Sequence, residues 1–167
     1  MNKYSEAWRK KGDALFDEEK YKEALICYDK ALALAPDDGG IWYVKGCILR
    51  KLKRNKEAVW YFDRAIKLDP VDDVAWNNKA NALLCIGKYE ESLVCYNESI
   101  KIYPKDADTW FNKGCAMELL SRLWDAIICY DEAIKLCPND DEVYYSKKEA
   151  IQALASLEKP PRRQRGI

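Results

Sequence analysis

Apolar and aromatic residues return along this chain with a period of 34 residues. The first half of each period places a tryptophan, a small residue and an apolar residue at i, i+4 and i+7, as in Trp42, Gly46 and Leu49. This spacing predicts a helix with one apolar face. The recurring tryptophans are Trp8, Trp42, Trp76 and Trp110, and the prolines that recur in step with them are Pro36, Pro70, Pro104 and Pro138.

The second half of each period alternates small residues with a ring. Ala58, Phe62 and Ala65 stand at i, i+4 and i+7, and the other periods repeat this arrangement. Small residues beside a ring allow two antiparallel helices to approach closely. A short polar break, such as Lys53-Arg54, separates the two predicted helices of each period. The predicted repeats are residues 5–38, 39–72, 73–106 and 107–140, followed by a capping helix over 141–158.

Two kinds of residue mark the packing and the ends of these helices. Gly12, Gly46 and Gly114 lie in the middle of predicted helices, where a glycine costs about 1 kcal/mol against alanine, so each predicts a close packing contact. Acidic residues such as Asp38 and Asp72 follow the prolines and suit the N-terminus of the next helix. A period of this length favours stacked helix pairs with a concave surface over a single globular core.

Composition narrows the class of protein. Lys plus Arg and Asp plus Glu are both 28, and there is no histidine among 167 residues. The tail contains Lys159, Arg162, Arg163 and Arg165 without an acid, which leaves the preceding residues mildly acidic. We expect residues 159–167 to be a disordered basic tail, and the absence of a long apolar run predicts a soluble, cytoplasmic protein that does not enter a membrane.

The sequence lacks the residues that most catalytic sites need. Without histidine, a glycine-rich phosphate loop or metal-ligand spacing, we expect no enzymatic activity and no cofactor or metal. Seven cysteines are present, none in a Cys-x-x-Cys pair. Cys27, Cys95 and Cys129 occupy one position of the repeat, which predicts buried packing thiols in a reducing compartment.

The repeated residues resemble the tetratricopeptide repeat (TPR) family. The shared pattern is tryptophan, glycine or alanine, an apolar residue, a small–ring–small triplet and a closing proline, and it covers residues 5–158. Ala80, Ser92 and Ser99 depart from the usual small residues of the third repeat. The resemblance implies an all-α, right-handed superhelical α-solenoid of antiparallel helix pairs, forming a single domain over 5–158 whose first helices line a groove. It also implies binding of a peptide or protein segment, as in scaffold, adaptor or co-chaperone-like proteins.

A helical wheel predicts which residues face that groove. The face opposite the apolar stripe of each first helix carries amides, rings and graded charges. Amides can hold an extended backbone, and rings can receive side chains. The predicted groove residues are Tyr43, Arg50, Lys51, Asn77, Asn78, Asn81, Phe111, Asn112, Glu118, Tyr145 and Glu149. The alternative interpretation of this surface is a solvated polar face with no ligand.

The charges of this face bear on the kind of ligand. Arg50 and Lys51 favour an acidic end of a ligand over the second repeat, and Glu118 and Glu149 favour basic residues over the fourth. In this family some grooves hold the terminal carboxylate of heat-shock chaperones with two asparagines and several cations. No register of this chain supplies those cations, and Glu142 occupies one of their places. The sequence therefore predicts that chaperone tails are not ligands.

Two other functions stay open at this stage. Trp60, Tyr61 and Trp124 fall on the predicted convex side and could mediate self-association, so oligomerisation is an alternative. The basic tail gives weaker support to nucleic-acid binding, because the repeats offer no basic surface. Lysines also recur every 34 residues, at Lys11, Lys45, Lys79, Lys113 and Lys147. We predict a structural role for them, with stems lying on neighbouring rings and ammonium groups paired with aspartates on second helices.

Overall fold

A computed structural model describes residues 3–157, and in this range the chain forms nine α-helices and no strand. The predicted all-α fold of paired helices is confirmed, and the predicted break between the helices of each pair lies at the expected residues. The basic tail and the last residue of the predicted capping helix lie outside the described residues. The helices are α1 Lys3–Asp17, α2 Tyr21–Leu34, α3 Gly39–Lys51, α4 Asn55–Leu68, α5 Asp73–Cys85, α6 Tyr89–Ile102, α7 Ala107–Leu119, α8 Leu123–Leu136 and α9 Asp141–Leu157.

The turn between the two helices of every pair has the same backbone geometry. After α3, the Lys53 N–H donates to the Arg50 carbonyl and the Arg54 N–H donates to the Leu49 carbonyl, at 2.9 and 2.8 Å. This pair of bonds is the Schellman motif, which requires a left-handed residue after the helix. The left-handed residues are Glu19, Lys53, Gly87 and Ser121, with φ of 57°, 58°, 77° and 57°. Only the third pair uses glycine there.

The prolines, acids and tryptophans that recur every 34 residues lie at the junctions between successive helix pairs. The Asp72 side chain accepts a hydrogen bond from the Ala75 N–H at 2.9 Å, which caps the first turn of α5. The Trp76 indole N–H donates to the Pro70 carbonyl at 3.0 Å. Asp38 and Trp42 make the same two bonds at the start of α3. The predicted acidic helix starts are thus confirmed as N-caps.

The core of each pair lies between a ring and the small residues around it. Phe62 and its neighbours Ala58 and Ala65 are buried, as are the equivalent triplets of the other pairs. A Cβ added to Gly46 would lie 2.6 Å from Phe62 Cε1, so the ring packs directly on the glycine backbone. Gly12 and Gly114 meet Tyr28 and Tyr130 in the same way. The close contact predicted from the mid-helix glycines is confirmed.

The helices fall into two compact units, with the division between Pro104 and Lys105. In the first unit α1 and α2, α3 and α4, and α5 and α6 pair as hairpins. Successive hairpins are in contact, because α3 packs on α2 and α5 packs on α4. In the second unit α7 pairs with α8, and α9 packs on α8. The single domain predicted from the sequence stays a prediction.

Candidate functional site

In the first unit, the predicted groove faces of α1 and α3 meet at a depression. Its volume is about 390 Å³, and both helices and the ring of α2 contribute to its wall. Most of its lining is apolar or aromatic, with two carboxylates on the α1 side. The lining residues are Asp13, Phe16, Asp17, Tyr28, Tyr43, Val44 and Cys47. The structure therefore places the predicted groove residue Tyr43 in the wall of this depression, together with residues of α1 and α2.

Two tyrosines form the floor of this depression. The Tyr28 hydroxyl donates to Asp13 Oδ1 at 2.7 Å, and the Tyr43 ring lies 5.9 Å from the Phe62 ring, centroid to centroid. Burial, reinforced by the Asp13 carboxylate, raises the pKa of Tyr28. Burial also raises the pKa of Tyr43 and of the Cys47 thiol. All three groups are therefore neutral at pH 7 and act as hydrogen-bonding groups rather than charges.

The predicted amides of α5 have partners within the first unit. Asn78 Nδ2 donates to the Tyr43 hydroxyl at 3.2 Å and to the Val74 carbonyl at 2.9 Å. Asn81 Nδ2 lies 3.5 Å from Asn77 Oδ1. The Asn78 carbonyl oxygen and the Asn77 amino group receive no partner from the described residues. One acceptor and one donor of this cluster are thus open to a ligand.

Asn81 has a packing role that the sequence did not indicate. Its carbonyl oxygen accepts a hydrogen bond from the hydroxyl of the buried Tyr96 at 2.6 Å. Asp13 does the same for Tyr28, and it occupies the same position of the repeat. In the second repeat the ring is Phe62, which has no hydroxyl, and Cys47 occupies that position. In the fourth repeat Cys115 occupies this position, 3.7 Å from the Tyr130 hydroxyl, which also donates to Glu118. The residue at this position therefore does not follow the identity of the ring, and no pattern in the sequence revealed the role of Asn81.

The predicted basic residues lie at the end of α3. Arg50 is half-buried and Lys51 exposed, and both belong to the last turn of the helix. Neither side chain forms an ion pair with a described acid, whereas Arg9 lies 3.6 Å from Asp38. Cations at a helix C-terminus interact favourably with the helix dipole, which gives these two residues a structural explanation as well.

The second unit contains the other predicted groove residues. The Phe111 ring lies 5.8 Å from the Tyr130 ring, and the Tyr130 hydroxyl donates to Glu118. Glu118 is therefore a partner of a buried ring, like Asp13 and Asn81. The Asn112 amide makes no hydrogen bond with the described residues, and Tyr145 and Glu149 are exposed on α9. Their role in ligand binding stays a prediction.

Three of the five repeated lysines form the predicted ion pairs with aspartates of second helices, and a structural role for the lysines stays a prediction. Lys45 pairs with Asp29, Lys79 with Asp63 at 2.7 Å, and Lys147 with Asp131 at 2.5 Å. Three of the ammonium groups also lie over the tryptophan of their own repeat, those of Lys11, Lys79 and Lys113, at 5.0–5.5 Å from the ring. Such positions cover apolar surface with the lysine stem.

Other kinds of site find little support in the described residues. No group of three or more acidic or cysteine side chains in residues 3–157 is arranged to hold a metal ion. Cys27, Cys95 and Cys129 are buried, as predicted, and burial raises the pKa of Cys95 and Cys129. Across the described range no helix combines the length and apolar character that crossing a membrane requires.

Comparisons with known proteins identify the family. Sequence models of the tetratricopeptide repeat match residues 5–38, 39–72, 74–106 and 95–128. The first two matches coincide with the first two predicted repeats. The chain belongs to the tetratricopeptide repeat family, and no curated protein sequence matches it.

Solved structures confirm the fold. MamA 41-end from Desulfovibrio magneticus RS-1 is 22% identical, with 99% of each chain covered and a TM-score of 0.83. YrrB, described as a TPR protein with an unusual peptide-binding site, is 28% identical, with 86% of this chain and 74% of that chain covered and a TM-score of 0.80. The first TPR of Spaghetti (RPAP3), bound to the HSP90 peptide SRMEEVD, is 23% identical, with 70% and 93% covered and a TM-score of 0.69.

Proposed function

We propose that this protein is an interaction module that binds an extended segment of another protein along the groove-facing side of α1, α3 and α5. The observation that carries the proposal is the depression of about 390 Å³ at which the predicted faces of α1 and α3 meet. Its rings can receive an apolar side chain, which is how peptide grooves obtain specificity. Family membership and the peptide-binding description of YrrB support the same class of function.

The chemistry of the first unit defines the segment. An apolar side chain would enter beside Phe16 and Tyr43, and a neighbouring basic residue would face Asp17, which pairs with no described cation. The ligand backbone would donate to the Asn78 carbonyl oxygen and accept from the Asn77 amino group. An acidic residue would face Arg50 and Lys51. For the second unit by itself, we propose that Phe111, Asn112, Glu118, Tyr145 and Glu149 contact a protein ligand.

A displayed library of random peptides, selected on the full chain, tests this proposal. Selected peptides should bind Asn78→Ala at least tenfold more weakly, because a buried hydrogen bond to the ligand backbone contributes about 1.4 kcal/mol or more. Asn97→Ala is the matched control, since Asn97 is an exposed asparagine of the second helix α6. Tyr43→Ala should weaken binding further, and circular dichroism should show that both variants stay helical.

Two results would contradict the proposal that this groove binds a protein segment. One is a selection that enriches no peptide, and the other is a set of peptides that bind the Asn78 and Tyr43 variants as well as the parent chain. We expect no catalytic activity. We also propose that the protein acts as an adaptor, scaffold or co-chaperone-like protein, and that it does so in the cytoplasm.

Self-association is a second candidate because of an exposed apolar stripe on the second helices. Ile26, Trp60 and Val94 occupy one position of the repeat and are all exposed, and Trp124 is exposed in the second unit. Monomeric proteins seldom leave such patches uncovered. Sedimentation equilibrium should show association that Trp60→Lys abolishes, and a monomer at all concentrations would exclude this function.

A further inference from the structure

A second cavity lies in the first unit, among α4, α5 and α6. Its volume is about 610 Å³, within the range of small-ligand sites, and none of the predicted groove residues lines it. We call it the Trp76 cavity. Its lining residues are Lys56, Val59, Asp63, Trp76, Lys79, Leu83, Ile86, Lys88, Glu91, Val94 and Cys95.

The same place in the second repeat is filled by rings. Tyr61 and Trp60 lie 5.6 and 5.5 Å from the Trp42 ring, centroid to centroid. The residues 34 positions later are Cys95 and Val94, which are far smaller. The Trp76 cavity is therefore the space that aromatic side chains occupy in the preceding repeat.

The repeated lysine is already placed for an aromatic ring. In the second repeat Lys45 Nζ lies 4.4 Å from the Tyr61 ring centroid, and its side chain is 3% exposed beneath that ring. Lys79 occupies the same position, paired with Asp63 and 5.3 Å from the Trp76 ring, and its side chain is 19% exposed. A ring entering the cavity would cover Lys79 and gain a cation–π contact.

The first and third repeats differ in the cations that lie over their tryptophan rings. In the first repeat Ile26 and Cys27 also leave a cavity, of about 370 Å³, but Lys30 lies over the Trp8 ring at 4.1 Å. At the position of Lys30 the third repeat has Glu98, which pairs with Lys101. Lys79 of α5 lies over the Trp76 ring, but no cation of α6 does, whereas Lys30 of α2 lies over Trp8.

The rim of the cavity adds a charge preference. Lys79 pairs with Asp63 and Lys88 with Glu91, each at 2.7 Å. Lys56 also lines the cavity and forms no ion pair with the described residues. An acidic group beside the incoming ring would therefore find a free partner.

We propose that the Trp76 cavity is a second docking site, which receives an aromatic side chain of a partner protein whose neighbouring residue is acidic. The ring would stack beside Trp76 and cover Lys79, in the place that Tyr61 takes in the second repeat. The acidic neighbour would pair with Lys56. This site is separate from the proposed groove, so the two can succeed or fail independently.

Nuclear magnetic resonance with two blocked dipeptides tests the site. The probe is N-acetyl-Asp-Tyr-amide and its control is N-acetyl-Asp-Leu-amide. The reporter is the indole N–H of Trp76, which is held by the Pro70 carbonyl and is assigned with Trp76→Phe. The tyrosine probe should shift this signal in a saturable manner with a dissociation constant of about 1 mM, as expected for a ligand of this size. The leucine probe should bind at least threefold more weakly.

Cys95→Tyr is the decisive variant, because it gives the third repeat the residue of the second and should fill the cavity. It should abolish the shift, whereas Cys95→Ala should keep it, and Cys27→Tyr is the matched control in the first repeat. N-acetyl-Asn-Tyr-amide should bind about two- to fivefold more weakly if Lys56 pairs with the acid. Val94→Trp provides a second way to fill the cavity if Cys95→Tyr does not fold. No saturable shift, equal binding of the leucine probe, or an unchanged shift in a folded filled variant would overturn the proposal.

Discussion

The turn between α5 and α6 offers a clean test of the backbone geometry that orients each helix pair. Gly87 is the left-handed residue of this turn, with φ of 77°, and a Cβ added there would meet nothing within 4 Å. Gly87→Ala therefore changes backbone conformational energy without a steric clash. The hydrogen bonds from Gly87 and Lys88 to Leu84 and Leu83, each 3.0 Å, hold the residue in this conformation.

The expected cost follows from two opposing terms. An L-residue in the left-handed region costs about 1–2 kcal/mol. Alanine recovers about 0.4–1 kcal/mol, because it restricts the unfolded chain more than glycine does. The Gly87→Ala variant should therefore lose about 1 kcal/mol of unfolding free energy. Lys53→Gly should gain a similar amount, since Lys53 already adopts φ of 58° at the same position.

Urea denaturation followed by circular dichroism at 222 nm measures these changes. With a slope of about 2 kcal/mol per molar urea, a change of 1 kcal/mol moves the midpoint by about 0.5 M. Gly39→Ala is the control, because Gly39 begins α3 and its added Cβ would make an ordinary contact at 3.5 Å with Leu68. It should be neutral or stabilising. If Gly87→Ala is as stable as the parent chain while Gly39→Ala behaves as expected, the account of the turn is wrong.

Three further predictions concern packing, the repeated lysines and the ligand. Gly46→Ala should lower the melting temperature, because overpacking against the buried Phe62 costs about 1–3 kcal/mol and exceeds the gain in helix propensity of about 1 kcal/mol; a higher melting temperature would contradict this. Lys45→Leu should keep or raise stability in thermal denaturation, since its partner Asp29 is exposed and its stem covers apolar surface; a loss above about 2 kcal/mol would show that the ion pair matters more. Calorimetric titration with SRMEEVD, the peptide bound by the RPAP3 domain, should show no saturable binding, because no register of the repeats supplies the cations of a carboxylate clamp and Glu142 occupies one of their places; micromolar affinity would refute this.

The helices and their ends could be predicted from the sequence because they depend on local chemistry. Apolar spacing defines the buried face of a helix, an aspartate caps the next one, and the prolines mark where the hairpins join. Asp72 and Trp76 show both effects at the start of α5. The mid-helix glycines also indicated their own reason, because glycine inside a helix is unfavourable unless a neighbour needs the space.

Only the tertiary structure shows which polar residues bond to buried hydroxyl groups and which have no described partner. Asn78 and Asn81 lie three residues apart on one helix and looked equivalent, yet the Asn81 oxygen accepts from Tyr96 whereas the Asn78 oxygen is free of described partners. Glu118 likewise accepts from Tyr130. A helical wheel gives the direction of a side chain, but it does not show which buried hydroxyl of the facing helix needs an acceptor.

The sequence by itself determined the repeat, the helix pairs and the family, because a 34-residue pattern of packing residues leaves few other ways to bury its apolar faces. The tertiary structure alone decided where space is left over. Tyr61 and Cys95 are merely two residues at one position of the repeat until the packing shows that the first fills a volume beside Trp42 and the second leaves it open beside Trp76. Cavities depend on the sum of side-chain volumes from several helices, and that sum exists only once the helices are packed.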